Sequence, residues 1–419
     1  MDKIHKKQKE KPSKPGIKKP LLRPEWQLAI FILALGLIYG VLFHTVYTTQ
    51  YSAVGSIFFD YASLIMQGDV PYLDFTLEYP PLALLFFVLP RLASSFVSDY
   101  IILFKAEVLL AILIGLVITY LISCRMGKAP WKMMLVYTMC ILAVGPIIAE
   151  QFDIFPAVLT LGSLYAFLSG KNKTAWALLA LGALTKIYPL FLAPVYLAIA
   201  WRNRQYRSAT AGILTALLIG AVFILPFVFL GLESLKSLAE YHMQRGIQLE
   251  STYSSFLLIA DRLGLTQINP VFNYGSWNLI GGPTETLTKL SSYFIVILLV
   301  LVYGFIFRSI KPGKSQSTRL GTYALLVLSI VLITSKVLSP QYLIWLVPII
   351  PLVLQRGRNI ILAFFVLIGA LSYYLFPHVY MELTRLEIVP VTILFFRNLF
   401  LIALTVLTVA YLRQMKASE

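Results

Sequence analysis

The sequence predicts an all-α membrane protein, a polytopic helix bundle with about twelve membrane segments. Hydrophobic residues make up 58% of the 419 residues and the mean hydropathy is +0.79, so a soluble core could not bury the apolar surface. The short alternating segments of a membrane β-barrel are not evident. Several apolar runs instead reach or approach the roughly 20 residues that cross a bilayer as a helix. These runs are 27–44, 100–123, 208–230, 291–307 and 389–412.

The chain before the first apolar run is predicted to be a tail. Residues 1–25 are basic, polar and interrupted by proline, which is typical of a disordered segment. They lack the small-residue cleavage site of a signal peptide, so the first apolar run is expected to remain as a membrane span. Residues 26–419 are expected to form a single membrane domain.

The distribution of charge predicts which loops face the cytoplasm. Short basic loops between the apolar runs, together with the tail, hold 25 of the 35 basic residues but only 4 of the 19 acidic residues. Because cytoplasmic loops carry an excess of Lys and Arg, this separation predicts that both termini lie inside. The loop clusters are Arg125/Lys128/Lys132, Lys171/Lys173, Arg202/Arg204/Arg207, Arg308/Lys311/Lys314/Arg319, Arg356/Arg358 and Arg413/Lys416.

Two apolar segments do not fit simple crossings. If 79–95 crossed the membrane, every later basic cluster would lie outside, so we expect this segment to lie in the outer interface. Segment 174–200 has basic loops at both ends and must therefore turn back. It is predicted to form two short helices joined as a hairpin, with Lys186 and Pro189 near the bend.

The predicted first external loop, 45–99, is expected to hold two juxtamembrane helices. Apolar residues at helical spacing predict an interfacial helix with Asp60 near its middle and a stop at Gly68. Pro80 and Pro81 suit the first turn of the second helix.

Carboxylates gather in this loop although the chain is only 13% charged. Asp60 lies on the otherwise apolar helix, and Asp74 and Glu78 lie between the two helices. A carboxylate in a water-poor groove can act as a general base on an attacking hydroxyl. The alternatives are that these acids only solvate the loop, or that several of their oxygens hold a divalent cation.

Isolated basic residues are predicted on the same side. Lys186 lies inside an apolar segment, Lys336 closes a span, and Arg245 lies in the second large external loop, 231–290. Charges within a bilayer are costly and usually mark a function or a buried pair. Phosphate is a natural partner for Lys and Arg. The alternative is ion pairing within the protein, for example between Arg245 and Glu250.

Two further residues of this kind are weaker candidates. His242 in EYHMQR could be a ligand or an acid–base group, and Arg397 in the last apolar run could be functional or a structural partner.

Five stretches of the chain carry a resemblance to a known family. They are FDYASLIMQGDVPYLDFTLEYPPL, EQFDIFPAVL, ALTKIYPLFLAPV, RGIQLESTYSS and SKVLSPQYLIWLVP, which lie in this order between residues 58 and 351. Together they resemble the GT-C integral-membrane glycosyltransferases. The closest likeness is to glycosyltransferase family 87, with its polyprenyl-phosphate-mannose-dependent α-mannosyltransferases.

The resemblance implies a reaction. Such enzymes transfer a sugar, usually mannose, from a polyprenyl-phosphate donor to an envelope glycolipid or glycan, with inversion, at the outer face of the bacterial plasma membrane. It implies that Asp60 is the catalytic base and that Lys186, Arg245 and Lys336 bind the departing phosphate. Arabinose or glucose donors remain open.

The same motifs imply a set of supporting groups and partners. Besides the donor and acceptor, membrane lipid is an expected partner, whereas nucleic acid and a bound cofactor are not expected. The residues expected to support the site are His242, Glu250, Gln341 and Tyr342.

Two other classes of function remain as alternatives. A transporter or lipid flippase would also carry charges within the membrane and a broken hairpin, but no inverted repeat is evident. A transferase of another group would usually need an external soluble domain or a clear nucleophile. The sequence shows neither.

Overall fold

The computed structural model describes residues 23–41, 54–96, 99–230, 236, 240–313, 319–354 and 359–417. Residues 1–22 of the predicted tail and parts of both predicted external loops lie outside the described residues. Within the described residues, seven helices are long and apolar enough to cross a membrane, which confirms a mostly helical protein of membrane character. The count of about twelve segments, and the side on which each loop lies, stay predictions.

Sixteen helices are labelled here in chain order, all within the described ranges. The first eight are α1 Pro24–Val41, α2 Phe59–Gln67, α3 Ala83–Ser94, α4 Tyr100–Arg125, α5 Pro130–Val144, α6 Ile154–Leu168, α7 Asn172–Thr185 and α8 Ala193–Arg202. The second eight are α9 Tyr206–Leu230, α10 Thr252–Arg262, α11 Thr284–Ser309, α12 Leu320–Thr334, α13 Ile350–Val353, α14 Asn359–Tyr373, α15 Tyr380–Thr384 and α16 Ile388–Ala417.

The two short helices of the first loop form as the sequence predicts. Helix α2 ends at Gly68, whose φ of 101° is the left-handed conformation that glycine adopts at helix ends. Helix α3 starts at Ala83, so the prediction that Pro80 and Pro81 form its first turn was wrong; both prolines precede the helix. With 12 residues, it is about 18 Å long, too short to cross a hydrocarbon core of about 30 Å.

The predicted break at Lys186 is present. Helix α7 ends at Thr185, and Lys186 has an extended backbone with φ −156° and ψ 131°. A 3₁₀ turn over Tyr188–Leu192 leads into α8. The break divides the apolar segment into two short helices, and Lys186 lies in the extended backbone between them.

The helices differ in how much of their surface is buried. In α12, 14 of the 15 residues are buried. In α9, by contrast, one residue of 25 is buried, namely Gly212. A helix that is apolar all round lies either in a protein core or against lipid. Helix α12 therefore lies at the centre of the bundle, and α9 presents most of its surface to the membrane.

A small antiparallel sheet is the element that the all-α prediction missed. Its strands are β1 Ile247–Gln248, β2 Asn269–Asn273 and β3 Ser276–Ile280, in the order β1-β3-β2. Tyr274 and Gly275 connect β2 to β3 with φ of 47° and 65°. Positive φ at both central residues is the geometry of a two-residue hairpin turn.

Basic residues at the predicted inner side bind the ends of helices. Their side chains donate to backbone carbonyl groups, where a helix carries partial negative charge. Arg125 donates to Leu168 O, and Arg202 donates to Ile310 O. Lys128 likewise donates to Leu352 O and Leu354 O, and Arg319 to Ser309 O and Met415 O.

Candidate active site

Segments distant in sequence are joined by backbone hydrogen bonds at one end of the bundle. The Leu82 N–H donates to Leu184 O at 2.9 Å, which brings the first loop to the helix break at Lys186. The Gln248 N–H donates to Lys336 O, also at 2.9 Å, which brings strand β1 to the turn after α12. A contact of His242 with the Glu78 backbone oxygen links the two pairs of segments, so that Glu78, Lys186, Arg245 and Lys336 lie in one region.

Lys186 is held by an ion pair. Its Nζ lies 2.6 Å from Asp153 Oδ1, and the Asp153 side chain is fully buried. Trp345 Nε1 donates to the same oxygen at 2.7 Å. The Lys186 ammonium also lies within 6 Å of the ring centres of Phe152, Tyr342 and Trp345. Asp153 therefore compensates the charge of Lys186, and together with the three rings it holds the ammonium group in position.

Arg245 is a buried cation with neutral partners. The residue is 8% exposed, and its Nη2 donates to Ser276 Oγ at 2.8 Å. Its guanidinium lies 5.7 Å from the centre of the Tyr241 ring. Its buried Nε has no hydrogen-bond partner. Arg245 can therefore still donate a hydrogen bond to a ligand.

Lys336 also lacks a carboxylate partner. Its Nζ donates to Met243 O at 2.9 Å, and burial, together with the nearby charge of Arg245, lowers the pKa of this amine. Within the described ranges no carboxylate lies within 4.0 Å of Arg245 or Lys336. The ion pairs there are Lys105–Glu150, Lys186–Asp153 and Lys236–Glu240.

Glu78 is the carboxylate on which the charges of Arg245 and Lys186 act. Burial raises the pKa of the Glu78 carboxyl, and the charges of Arg245 and Lys186 oppose that effect. The neighbouring Tyr241 hydroxyl also opposes it and lowers the pKa of this carboxyl. His242 Nε2 lies 3.0 Å from the Glu78 backbone oxygen. Glu78 thus combines partial burial with positive neighbours.

The other two acids of the first loop lie in different surroundings. Asp60 is exposed in the first turn of α2, and no contact in the described structure joins it to the cations. Asp74 is exposed and accepts a hydrogen bond from the Val70 N–H at 2.7 Å, which closes a local turn. The role expected of Asp60 stays a prediction.

The expected supporting residues differ in their surroundings, and their roles stay predictions. Tyr342 stacks on Trp345 with ring centres 4.3 Å apart and faces Lys186. Gln341 follows Pro340 in the same 3₁₀ turn. Glu250 is 3% exposed, and burial raises the pKa of its carboxyl to about 7.

Arg397 anchors the segment that carries Arg245. Its Nη2 donates to Glu250 O at 2.9 Å, and Asn398 donates to Glu250 O and Ser251 O. Arg397 is 1% exposed. Of the two alternatives for this residue, the geometry matches a structural partner that holds the loop against α16.

The sequence reasoning did not single out Asp153. The motif EQFDIFPAVL contains it, and an acid next to an apolar run is the signal that could have identified it. The expected divalent-cation alternative has no support among the described residues, where no group of three or more His, Cys, Asp or Glu side chains could hold a metal ion.

Comparisons with known proteins identify the family of the chain. No curated protein matches the chain. The profile of glycosyltransferase family 87 matches residues 75–340, more than half of the chain. The matched range contains Glu78, Asp153, Lys186, Arg245 and Lys336. The chain therefore belongs to glycosyltransferase family 87.

Proposed function

We propose that this membrane glycosyltransferase transfers a mannosyl group from a polyprenyl-phosphate donor to a hydroxyl of an envelope glycolipid or glycan on the extracytoplasmic face. The observation that supports it is the pair of cations, Arg245 and Lys336, without a carboxylate partner. A buried charge without a counter-ion is costly, and the phosphate of a lipid-linked sugar is an anion that would compensate both.

Glu78 is the proposed general base. It removes the proton of the acceptor hydroxyl, whose oxygen forms a bond to the anomeric carbon as the bond from that carbon to the phosphate oxygen breaks. The electron pair of the broken bond leaves with the phosphate, and the single displacement inverts the anomeric centre. Asp60 is the alternative base, because the family resemblance implies it.

Arg245 and Lys336 stabilise the negative charge that develops on the phosphate. Such groups are effective because their dipoles and charges are already oriented before the reaction. The Met243 carbonyl and the Ser276 hydroxyl hold the two cations in place while leaving their positive charge uncompensated. Lys186, which is paired with Asp153, is proposed to position the rings of Phe152, Tyr342 and Trp345.

The test is a transfer assay on protein reconstituted in lipid. Labelled polyprenyl-phosphate-mannose and an envelope glycolipid extract are supplied to wild type, Glu78→Gln and Asp60→Asn. Loss of a general base costs about 10²–10⁴-fold in rate. We expect that loss in Glu78→Gln and near wild-type transfer in Asp60→Asn, with both variants monodisperse in gel filtration.

The opposite pattern would return the base to Asp60 while leaving the donor and acceptor classes in place. If wild type makes no new glycosidic bond with the mannose, arabinose and glucose forms of the donor, the proposed donor class is wrong.

A further inference from the structure

Helices α8 and α11 pack side by side and leave a groove between them. This α8–α11 groove has a volume of about 850 Å³. Leu197, Trp201 and Val300 are exposed, so the groove opens to the surface of the bundle. Each helix contributes one stripe of residues at helical spacing. The stripes include Pro194, Leu197 and Trp201 of α8 and Val300, Gly304 and Arg308 of α11.

Hydrogen bonds join the two helices at both ends of the groove. The Tyr303 hydroxyl donates to Phe191 O at 2.7 Å, just before α8 begins. Arg202 Nη2, in the last residue of α8, donates to Ile310 O at 3.1 Å, just after α11 ends. A methyl group at Gly304 would have nothing within 4 Å, so the middle of the groove stays open. The fold itself therefore fixes the width of the groove.

One end of the groove is positively charged. Arg308 is the charged residue of an otherwise largely apolar lining. Within the part of the chain that the structure describes, it has no carboxylate within 4.0 Å and no hydrogen-bond partner. The Arg202 guanidinium lies near the same end, 5.3 Å from the centre of the Phe307 ring. An apolar groove with a cation at one end is complementary to a lipid that carries an anionic headgroup.

The length of the groove matches one leaflet of the membrane. From Val300 to Arg308, helix α11 rises about 12 Å. Half of a hydrocarbon core of about 30 Å is about 15 Å. Arg308 and Trp201 lie at the end where the predicted cytoplasmic loops gather basic residues, and tryptophan favours the membrane–water interface. The groove thus extends from the predicted inner interface towards the middle of the membrane.

We propose that the α8–α11 groove binds an anionic phospholipid of the inner leaflet, with an acyl chain along the two stripes and the phosphate at Arg308. Basic pockets between membrane helices on the cytoplasmic side are typical binding sites for anionic lipid headgroups. The polyprenyl-phosphate donor is a different lipid. Its phosphate is proposed to lie at Arg245 and Lys336, at the opposite end of the bundle, so it cannot also contact Arg308.

The charge at Arg308 is tested by native mass spectrometry of the purified full-length protein with added phosphatidylglycerol or phosphatidylcholine. Wild type should retain phosphatidylglycerol in preference to phosphatidylcholine. Arg308→Gln should weaken the binding of phosphatidylglycerol about tenfold, because a hydrogen bond between charged groups is lost. Arg413→Gln is the matched control, since Arg413 is exposed in the last helix and lies outside the groove. It should bind phosphatidylglycerol as wild type does.

The apolar part of the groove is tested by Gly304→Leu. The leucine side chain would occupy the space that the acyl chain needs, without a contact that disturbs the helices. Gly220→Leu is the matched control, because a methyl group at Gly220 of α9 also has nothing within 4 Å and Gly220 lies outside the groove. Gly304→Leu should lose the retained phosphatidylglycerol, and Gly220→Leu should keep it.

Equal affinities of Arg308→Gln and Arg413→Gln for phosphatidylglycerol would overturn the proposal, as would a wild type that does not distinguish the two phospholipids. Retention of phosphatidylglycerol by Gly304→Leu would overturn it too. Preferential retention of added polyprenyl phosphate by wild type would assign the groove to the tail of that lipid instead. If Arg308→Gln is not monodisperse in gel filtration, the comparison of Gly304→Leu with Gly220→Leu decides. These measurements need no sugar transfer, so failure of the proposed function leaves their outcome unaffected.

Discussion

At the scale of single residues, the structure contains two kinds of cation, those paired with a carboxylate and those held by neutral groups. Lys105 and Lys186 each lie 2.6 Å from a carboxylate, of Glu150 and Asp153 respectively. Arg245 and Lys336 are instead held by neutral groups. Breaking a buried ion pair is strongly destabilising, whereas a cation held by neutral groups retains its charge for a ligand. The division therefore distinguishes structural cations from the ones that can bind an anion.

Substitution of Lys336 tests the role of its charge. Lys336→Ala should raise the KM for the donor about tenfold to a hundredfold, since a hydrogen bond to a charged group contributes about 1.5–3 kcal/mol. Lys336→Arg retains the charge and should stay within a few-fold of wild type. Donor titrations of the transfer rate measure both values. Equal KM values in the two variants would argue against a phosphate contact.

At the scale of elements, the β2–β3 hairpin forms one wall of the Glu78 surroundings. Its turn requires positive φ at Tyr274 and Gly275, and its strand β3 supplies Ser276, the partner of Arg245. The same short element thus touches the proposed base and one proposed phosphate ligand. Its geometry should matter more to the reaction than to the stability of the helix bundle.

Gly275→Ala should reduce activity beyond its effect on folding. A non-glycine residue at positive φ costs about 1–2 kcal/mol, and the added methyl group would also meet the Glu78 carboxyl and the Tyr241 hydroxyl. We expect kcat/KM to fall at least tenfold.

Gly264→Ala is the matched control for this change. Gly264 has a φ of 69° and open space around its Cα, so the variant carries the same backbone strain without the contact. Equal losses of kcat/KM in the two variants would mean that the hairpin tip does not shape the site.

Helices α7 and α9 pack closely at one glycine. A methyl group at Gly212 of α9 would lie 2.1 Å from the Trp176 ring of α7, and Trp176 is buried. This contact packs the mostly exposed α9 against α7, which ends at Thr185 next to the break.

Gly212→Ala should lower the thermal stability of the reconstituted protein. Overpacking of this kind costs about 1–3 kcal/mol, and the apparent midpoint of thermal unfolding would report it. Gly220→Ala lies on the same helix with nothing within 4 Å of the added methyl group, and alanine favours a helix over glycine. A midpoint for Gly212→Ala equal to that of Gly220→Ala would contradict the packing.

At the scale of the whole molecule, opposite ends of the bundle carry different chemistry. One end holds Glu78 and the cations of the site. At the other end, basic side chains of the predicted cytoplasmic loops donate hydrogen bonds to backbone carbonyl groups at helix ends. The loop residues that predict orientation thus also satisfy unpaired carbonyls, which the last turn of every helix leaves available.

Reporter fusions test the predicted orientation. Reporters fused after residues 128 and 314 should give cytoplasmic signals, and one fused after residue 264 should give an extracytoplasmic signal, because of the excess of basic residues in the inner loops. An extracytoplasmic signal at 128 would mean that segment 79–95 crosses the membrane, and the orientation of all later loops would then be reversed.

The sequence by itself determined the membrane class, the short helices around Gly68 and the break at Lys186. These features depend on local composition, on helical spacing and on residues with restricted backbones. Only the tertiary structure decided which charges meet. The pairing of Lys186 with Asp153, 33 positions apart, depends on how distant segments pack. The same is true of the effect of the Arg245 charge on Glu78. The sheet was missed because its strands are short and gain stability from docking on the bundle, a contribution that no local pattern records.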